Sequence, residues 1–506
     1  MGFIKKYAPF LIAVGIIALF LFIRFYHLLG LPIFTDEAIY IRWSQIAKQD
    51  AAWRFISLTD GKQPMYVWIA MTIMRFVEDP LLAGRLVSVF AGFFSMVGLF
   101  FLGRELFKNK WVGVVSSFLY AIYPFAVVYD RMALYDSLVG MFVVWGLYLT
   151  VLFVRNMRLD LALILGMVIG AGMLTKTNAF ATLYLQPVAL LLFDWSRKHR
   201  KERLVRWALY AIVIAILSNA MYAMLRLSPF FYIVAQKNTI FFYPFSEWIK
   251  HPFTFFYGNI HALVDWFLTY MTLPFVFLII GAFFINKKFF REKILLVIWF
   301  VVPFLYLAFF GNNMYPRFIF FMTLPLLLLV AYFLVEMQKA KALKNKFLYA
   351  VCFLVFIFLP VRSTFLVLTD FGHAPIPRSD IGQYYAGWPS GVGVAETVSF
   401  LSEKAKNKKI YVVTEGSFGL MPYALEIYLV NNPNIKIDSL WPVNEAPPKE
   451  LLEKSKVMPV YVVFYQSCPA CKATGIAPDT WPVKEIFQLQ KQEENTYYTL
   501  YELTPR

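Results

Sequence analysis

Two adjacent carboxylates, Asp36 and Glu37, stand just past the end of a long apolar run, and Asp60-Gly61-Lys62-Gln63-Pro64 follows them. A carboxylate in that place can orient or deprotonate an attacking hydroxyl, while lysine and arginine bind phosphoryl oxygens through charge-assisted hydrogen bonds. More charges collect at the same ends of later apolar runs: Arg24, Arg85, Asp130, Arg131, Asp136, Lys176, Arg226, Lys237, Asp265 and Arg317. Charged groups at membrane depth are costly and point to function. A mixed cluster of this kind fits a substrate that carries an anionic phosphate and reacts with a hydroxyl. The plainer alternatives are that Asp36 and Glu37 complement the dipole of a following helix, with Thr35 as a cap, and that Lys62 snorkels at an interface.

The elements that must bring these groups together are membrane helices. The 506 residues are 60% hydrophobic and 19% aromatic, far above the apolar share of a soluble protein. Apolar runs long enough to cross a bilayer recur at about 7–29, 80–103, 112–129, 134–154, 159–175, 179–195, 207–225, 263–285, 294–311, 317–336 and 346–366. The first lacks a small-residue cleavage site and reads as a retained helix. The formal charge of +17 resides largely in alternate short loops, at Lys5-Lys6, Arg104 to Lys110, Arg155 to Arg158, Arg197 to Arg206, Lys287 to Lys293 and Lys339 to Lys346. That is the positive-inside pattern, so the charge sets topology and a nucleic-acid partner is not expected. Eleven crossings from a cytoplasmic N-terminus leave the C-terminus outside. The lack of matched halves counts against a secondary transporter.

Among the outer segments, Glu37 to Gln49 and Gln63 to Phe76 have one apolar helical face each, which predicts amphipathic helices lying in the interface. Leu227 to Ala262 is aromatic-rich and predicted to dip into the headgroup region. From about residue 370 the composition turns soluble. Strand-like Lys409 to Thr414 and Val457 to Tyr465 and helical Ala395 to Lys406 and Tyr423 to Val430 predict a small α/β domain. The expected division is 1–366 for the membrane core and 370–506 for the outer domain. Cysteine is scarce: Cys352 lies in the last span, and Cys468 and Cys471 read as a structural disulfide or idle thiols rather than a redox pair.

Six segments occur in an order that resembles a known group: Phe34-Thr35-Asp36-Glu37, Gly61-Lys62-Gln63-Pro64, Arg85-Leu86-Val87-Ser88, Arg131-Met132-Ala133-Leu134-Tyr135-Asp136, Leu174-Thr175-Lys176 and Tyr315-Pro316-Arg317-Phe318. Over about residues 1–340 the chain resembles the GT-C glycosyltransferases, in the broad family of dolichyl-phosphate-mannose protein mannosyltransferases and lipid A aminoarabinose transferases. The resemblance implies a GT-C fold of about eleven transmembrane helices with interfacial amphipathic helices, followed by an extracytoplasmic α/β domain. It implies transfer of a hexosyl or pentosyl group from a polyprenyl-phosphate donor to a hydroxyl of a protein, lipid or glycan acceptor at the outer face of the plasma membrane.

By the same resemblance Asp36, Glu37 and Asp136 are the catalytic candidates. Lys62, Arg317, Tyr315, Lys237, Arg85, Arg131 and Lys176 are the candidates for the donor phosphate. Glu415, after a strand and before a Gly-rich turn, is the acceptor-side candidate. Gly387-Trp388-Pro389-Ser390-Gly391 resembles outer-domain segments of many members, and reads by itself as turn chemistry. Some members carry an acidic residue or histidine where Gly61 stands. A divalent metal is therefore allowed but not required, with Asp36, His251 and His261 as candidate ligands. The rival readings are a flippase or transporter for a polyprenyl-linked lipid, which has no need of Asp36, and a membrane-anchored binding protein that works through its outer domain.

Overall fold

The computed structural model describes residues 2–339, 345–466 and 474–504. Cys468 and Cys471 lie outside the described residues. The N-terminal half begins with α1 (Gly2–Phe25), α2 (Thr35–Gln49), α3 (Met65–Ile73) and α4 (Pro80–Phe107). It continues with α5 (Lys110–Ile122), α6 (Pro124–Tyr129), α7 (Tyr135–Asn156) and α8 (Leu159–Met173). Among the described residues, six single helices are long and apolar enough to cross a membrane, with one bent pair and four shorter apolar helices beside them. Together these correspond to the eleven expected runs, and the chain is a multi-pass helical membrane protein. The span Pro316–Met337 lies at the centre of the bundle, with nearly all of its apolar window buried, whereas Arg200–Leu227 and Lys346–Thr369 lie at the periphery.

Two runs differ from the straight spans expected. The run 112–129 is divided into α5 and α6 at Pro124, which has no N–H to continue the ladder. The run 263–285 bends by 93° between Phe256–Met271 and Leu273–Phe284, at Thr272 with its φ of +62° and just before Pro274. The break matters to the site because Tyr270, at the end of the first half, reaches into the polar cluster described below.

Buried ion pairs lock the ends of the helices that carry the candidate residues. The Arg24 guanidinium meets the Asp130 carboxylate at 3.0 Å and donates to Ala121 O at 2.7 Å. Tyr120 and Ser137 donate to the same carboxylate at 3.1 and 2.7 Å. Gly92 is required for this packing, since a Cβ there would overlap the Asp130 carboxylate. Such networks are tolerable in a low dielectric only because every charge is paired and hydrogen-bonded.

The C-terminal domain, named the outer domain for its expected position, is a five-stranded sheet in the order β2-β1-β3-β5-β4. The strands are β1 (Ile410–Glu415), β2 (Ile435–Leu440), β3 (Val460–Phe464), β4 (Val483–Gln490) and β5 (Tyr497–Leu503). The first three are parallel; β5 runs antiparallel to β3 and β4 to β5. The helices Val394–Ala405 and Tyr423–Leu429 fall where the sequence places them. α2 is not the lipid-facing helix that its amphipathic pattern suggests. Its apolar face packs on α3 and α4, and its other side is covered by the outer domain. There Arg42 pairs with Glu426 at 2.6 Å and Gln45 donates to Ile427 O at 2.8 Å. An amphipathic pattern specifies one buried face and does not say whether lipid or protein covers the rest.

Candidate active site

The first outer segment, the loop after α8 and the helix Tyr232–Phe241 converge on a narrow cleft of about 50 Å³. Gly61 makes the convergence possible. It caps a 3-10 turn at φ +67°, and a Cβ there would lie 2.6 Å from the Cβ of Lys237. This close approach is the physical reason for glycine at a position where the resemblance allows an acid or a histidine. Gln63 then donates to Thr177 Oγ1 at 3.0 Å, and Met65 N to Leu174 O at 3.0 Å, tying the first outer segment to the loop after α8.

Four cations stand in or around the cleft. Arg317 donates to Asp36 Oδ2 at 2.9 Å, Lys176 to Asp136 at 2.7 Å and Lys237 to Asp60 at 2.6 Å. Lys62 makes no ion pair among the described residues, and its Nζ lies 5.2 Å from the centre of the Phe241 ring. Three carboxylates against four cations leave one positive charge, and Lys62 is the group that carries it. Burial, reinforced by Lys176 and Arg317 and opposed by Asp36, holds its pKa down to about 8. Burial works the other way on Asp36, but Arg317, Lys62 and Lys176 outweigh it and keep that carboxyl below its ordinary value. Asp36 is therefore ionised across the physiological range.

Beside this cleft runs a mainly apolar groove of about 500 Å³, lined by residues such as Phe180, Tyr184, Pro303 and Tyr306. The two share Thr177, Asn178, Asn238 and Phe242 in their walls. A long hydrocarbon chain in the groove would bring a polar head to the cations. Tyr40 and Tyr135 also line the cleft, and the Tyr135 hydroxyl is buried without a partner among the described residues. The sequence reading missed both. Tyr135 directly precedes Asp136, and that adjacency was the only local signal for it.

The outer domain fixes the start of α2 at Thr35, directly before Asp36. Thr35 donates to Pro389 O through both its amide, at 3.1 Å, and its hydroxyl, at 2.9 Å, and Gly391 N donates to Ile33 O at 2.7 Å. Lys491 holds this loop from behind, donating to the carbonyls of Trp388 and Ser390 at 3.0 and 2.7 Å. Gly387-Trp388-Pro389-Ser390-Gly391 is thus a backbone clamp on α2 as well as a turn. Beside it the buried Asp380 accepts from the hydroxyls of Tyr129, at 2.8 Å, and Tyr270. Burial raises the Asp380 pKa to about 7. The sequence reading missed this group, since neither tyrosine is near it in the chain.

Several expected site residues lie elsewhere. Glu37 is fully buried and turned away from Asp36. It receives Arg85 at 2.9 Å on both oxygens, Ala133 N at 2.6 Å and Phe34 N at 2.9 Å. Arg85 spends its other donors on Leu28 O and Pro32 O, so neither partner of this pair is free for substrate. Arg131 is bound to the carbonyls of Tyr26 and His27 and lines a different cavity. Glu415 is buried at the end of β1 and accepts from Tyr465 N and Gln466 N, both at 2.8 Å, which makes it a support for the end of β3 rather than an acceptor-side group. Tyr315 is stacked under Arg317, 5.0 Å from its guanidinium carbon.

His251 and His261 are exposed, and the described residues contain no group of three His, Cys, Asp or Glu side chains arranged to hold a metal. The neighbours of Asp36 are cations, which repel a divalent ion. The residues present do not fit a metal centre at Asp36.

A cationic cleft beside an apolar groove, at one end of a helical bundle topped by an α/β domain, defines a class: membrane proteins of the GT-C glycosyltransferase fold. Residues 61–223 match the family model of dolichyl-phosphate-mannose-protein mannosyltransferases. The crystal structure of ArnT from Cupriavidus metallidurans in the apo state is similar over 99% of this chain and 98% of that one, with a TM-score of 0.56 at 13% identity. The same protein bound to undecaprenyl phosphate is similar over 97% and 98%, with a TM-score of 0.56 at 14% identity. An oligosaccharyltransferase of Archaeoglobus fulgidus, tethered to an acceptor peptide containing the NVT sequon, is similar over 92% of this chain and 70% of that one, with a TM-score of 0.51 at 13% identity. Likeness at these identities is one of fold. No curated protein sequence matches the chain.

Proposed function

We propose that this protein transfers a hexosyl or pentosyl group from a polyprenyl-phosphate donor to an acceptor hydroxyl at the end of the bundle that carries Asp36. The observation that carries the reading is Lys62, the cleft's single uncompensated cation among the described residues, placed beside an apolar groove. A sugar–phosphate–polyprenol diester has one negative charge and a long apolar chain, and the site matches both. ArnT, which shares the fold, binds undecaprenyl phosphate.

In this mechanism the donor phosphate lies against Lys62, with Lys176 and Arg317 near it, and the chain occupies the groove. The acceptor oxygen attacks the anomeric carbon, the bond from that carbon to the phosphate oxygen breaks, and polyprenyl phosphate leaves with the electron pair. The cations stabilise the charge that grows on the leaving group, and this preorganised electrostatic contribution is commonly the largest in catalysis. Asp36 accepts the hydrogen bond of the attacking hydroxyl and receives its proton. Because Arg317 makes Asp36 a weak base, proton transfer falls late, after the oxygen has begun to bond and its proton has become acidic. Asp136 holds Lys176, and Asp60 holds Lys237. Attack opposite the phosphate inverts the anomeric centre.

The positive loops favour a cytoplasmic N-terminus, with the site and the outer domain on the far side of the plasma membrane. The acceptor is a protein, lipid or glycan hydroxyl. The test is to offer a radiolabelled panel of polyprenyl-phosphate sugars to the protein in reconstituted vesicles, with Asp36→Asn as the comparison. One donor should be consumed by the wild type and spared by Asp36→Asn, with a loss of roughly 10²–10⁴ in rate. A labelled lipid that crosses the bilayer uncleaved, with no effect of Asp36→Asn, would establish a flippase instead.

A further inference from the structure

A second cavity, of about 400 Å³, opens at the same end of the bundle between the end of α1, the end of α6 and the last span. Its wall includes Tyr26, His27, Val128, Arg131, Asp370 and Tyr385. None of these residues lines the donor cleft or the apolar groove.

Three guanidiniums act on one another here, and two are neutralised in place: Arg24 by Asp130 and Arg85 by Glu37. Arg131 has no carboxylate within ion-pair distance among the described residues, yet its relative exposure is only 9%. Its Nη2 donates to Tyr26 O at 2.6 Å and His27 O at 3.0 Å, whereas Nε is buried without an acceptor among the described residues. The influences on its pKa are all unfavourable, burial first and then Arg85 and Arg24, and none of the main ones is a carboxylate. Asp370, on the far lip, is half exposed and is paired with His373 at 2.9 Å. A buried charge without a counter-ion is strongly destabilising, and an anion at the cavity wall would remove that cost.

The surroundings indicate what brings the anion. Phe22, Phe25, Leu29 and Phe365 are exposed on the helix ends that frame the cavity, and the protein is embedded in lipid. We propose that this cavity holds the phosphodiester headgroup of an anionic lipid, with Arg131 as its counter-charge and the acyl chains against Phe22, Phe25 and Phe365. The site is separate from the donor cleft and does not rest on the glycosyltransferase reading.

The test is a titration of short-chain phosphatidylglycerol into the full-length protein in neutral detergent, using the Lys62→Met form so that the donor cleft contributes nothing. Arg131→Gln should bind about tenfold more weakly, as expected for loss of a charge-assisted hydrogen bond, and Arg131→Lys should fall between. Leu31→Trp, which fills the cavity and leaves the bonds of Arg131 intact, should weaken binding as well. It decides the matter if Arg131→Gln fails to fold. Equal affinity in the parent and in Leu31→Trp would overturn the proposal. Inorganic phosphate that competes at the same concentration as the lipid would also overturn it, by showing a site for the free anion.

Discussion

Replacing Lys62 by Met should make the protein more stable and less able to bind its donor. In the folded protein burial brings the Lys62 pKa from the ordinary 10.5 to about 8. Keeping the side chain charged at neutral pH therefore opposes folding by up to about 3 kcal/mol, from 1.36 kcal/mol per pKa unit. The sign follows from proton uptake. Between about pH 8 and 10.5 the unfolded chain holds the proton that the folded protein has released, so wild-type stability rises with pH across that window. Lys62→Met removes both the cost and that rise.

Affinity for undecaprenyl phosphate should move in the opposite direction, since the phosphate needs the protonated lysine. A phosphate monoester is fully ionised well above its second pKa of about 6, so a decline above pH 8 reports the protein. That decline should approach tenfold per pH unit in the wild type, shift upward in Lys62→Arg and be absent from the already weak Lys62→Met. Thermal unfolding and lipid-phosphate binding, both measured from pH 6.5 to 9.5, test the argument. A variant that melts lower and binds worse would show that Lys62 is a folding residue. Unchanged binding would show that the phosphate sits elsewhere.

Glu37→Gln should destabilise the protein by roughly 3–5 kcal/mol, because it leaves Arg85 buried and unpaired. Activity per folded molecule, measured after size exclusion, should change far less than for Asp36→Asn. Gly391→Ala puts a Cβ 2.5 Å from Ile33 O, so the loop must shift and release Thr35. The turnover number should fall by about tenfold or more with little change in undecaprenyl phosphate affinity, because a displacement of about 1 Å at a reacting group can cost 10² in rate. Incubation with a chelator should leave the transfer rate unchanged, since Asp36 is ringed by Arg317, Lys62 and Lys176; loss of activity that zinc or magnesium restores would refute this.

The difference between Asp36 and Glu37 shows where the sequence stops being informative. Adjacent residues on a helix point about 100° apart. One therefore meets Arg317 in the wall of the cleft while its neighbour enters the core to meet Arg85. Both are acidic, and no local pattern separates them. Arg131 and Lys176 look equally like phosphate ligands in the chain, but Lys176 reaches the cleft and Arg131 a different cavity. Glu415 looks like a residue in an exposed turn, yet it is buried against the start of the segment after β3. Conversely, Asp380 joins Tyr129 and Tyr270 from residues far apart, and nothing near it in the chain announces the cluster.

The sequence by itself determined the membrane class, the positions of nearly all the apolar runs, the outer α/β unit with its main strands and helices, and the set of charged residues from which the site is drawn. These follow from local properties: hydrocarbon length, loop charge and residue periodicity. Only the tertiary structure decided which charges pair. The bond from Arg317 to Asp36 joins residues 281 positions apart. The clamp from Pro389 to Thr35 spans the whole membrane core in sequence. Contacts of that range depend on how every helix packs, and that packing leaves Lys62, among the described residues, as the one cation in the cleft without a carboxylate of its own.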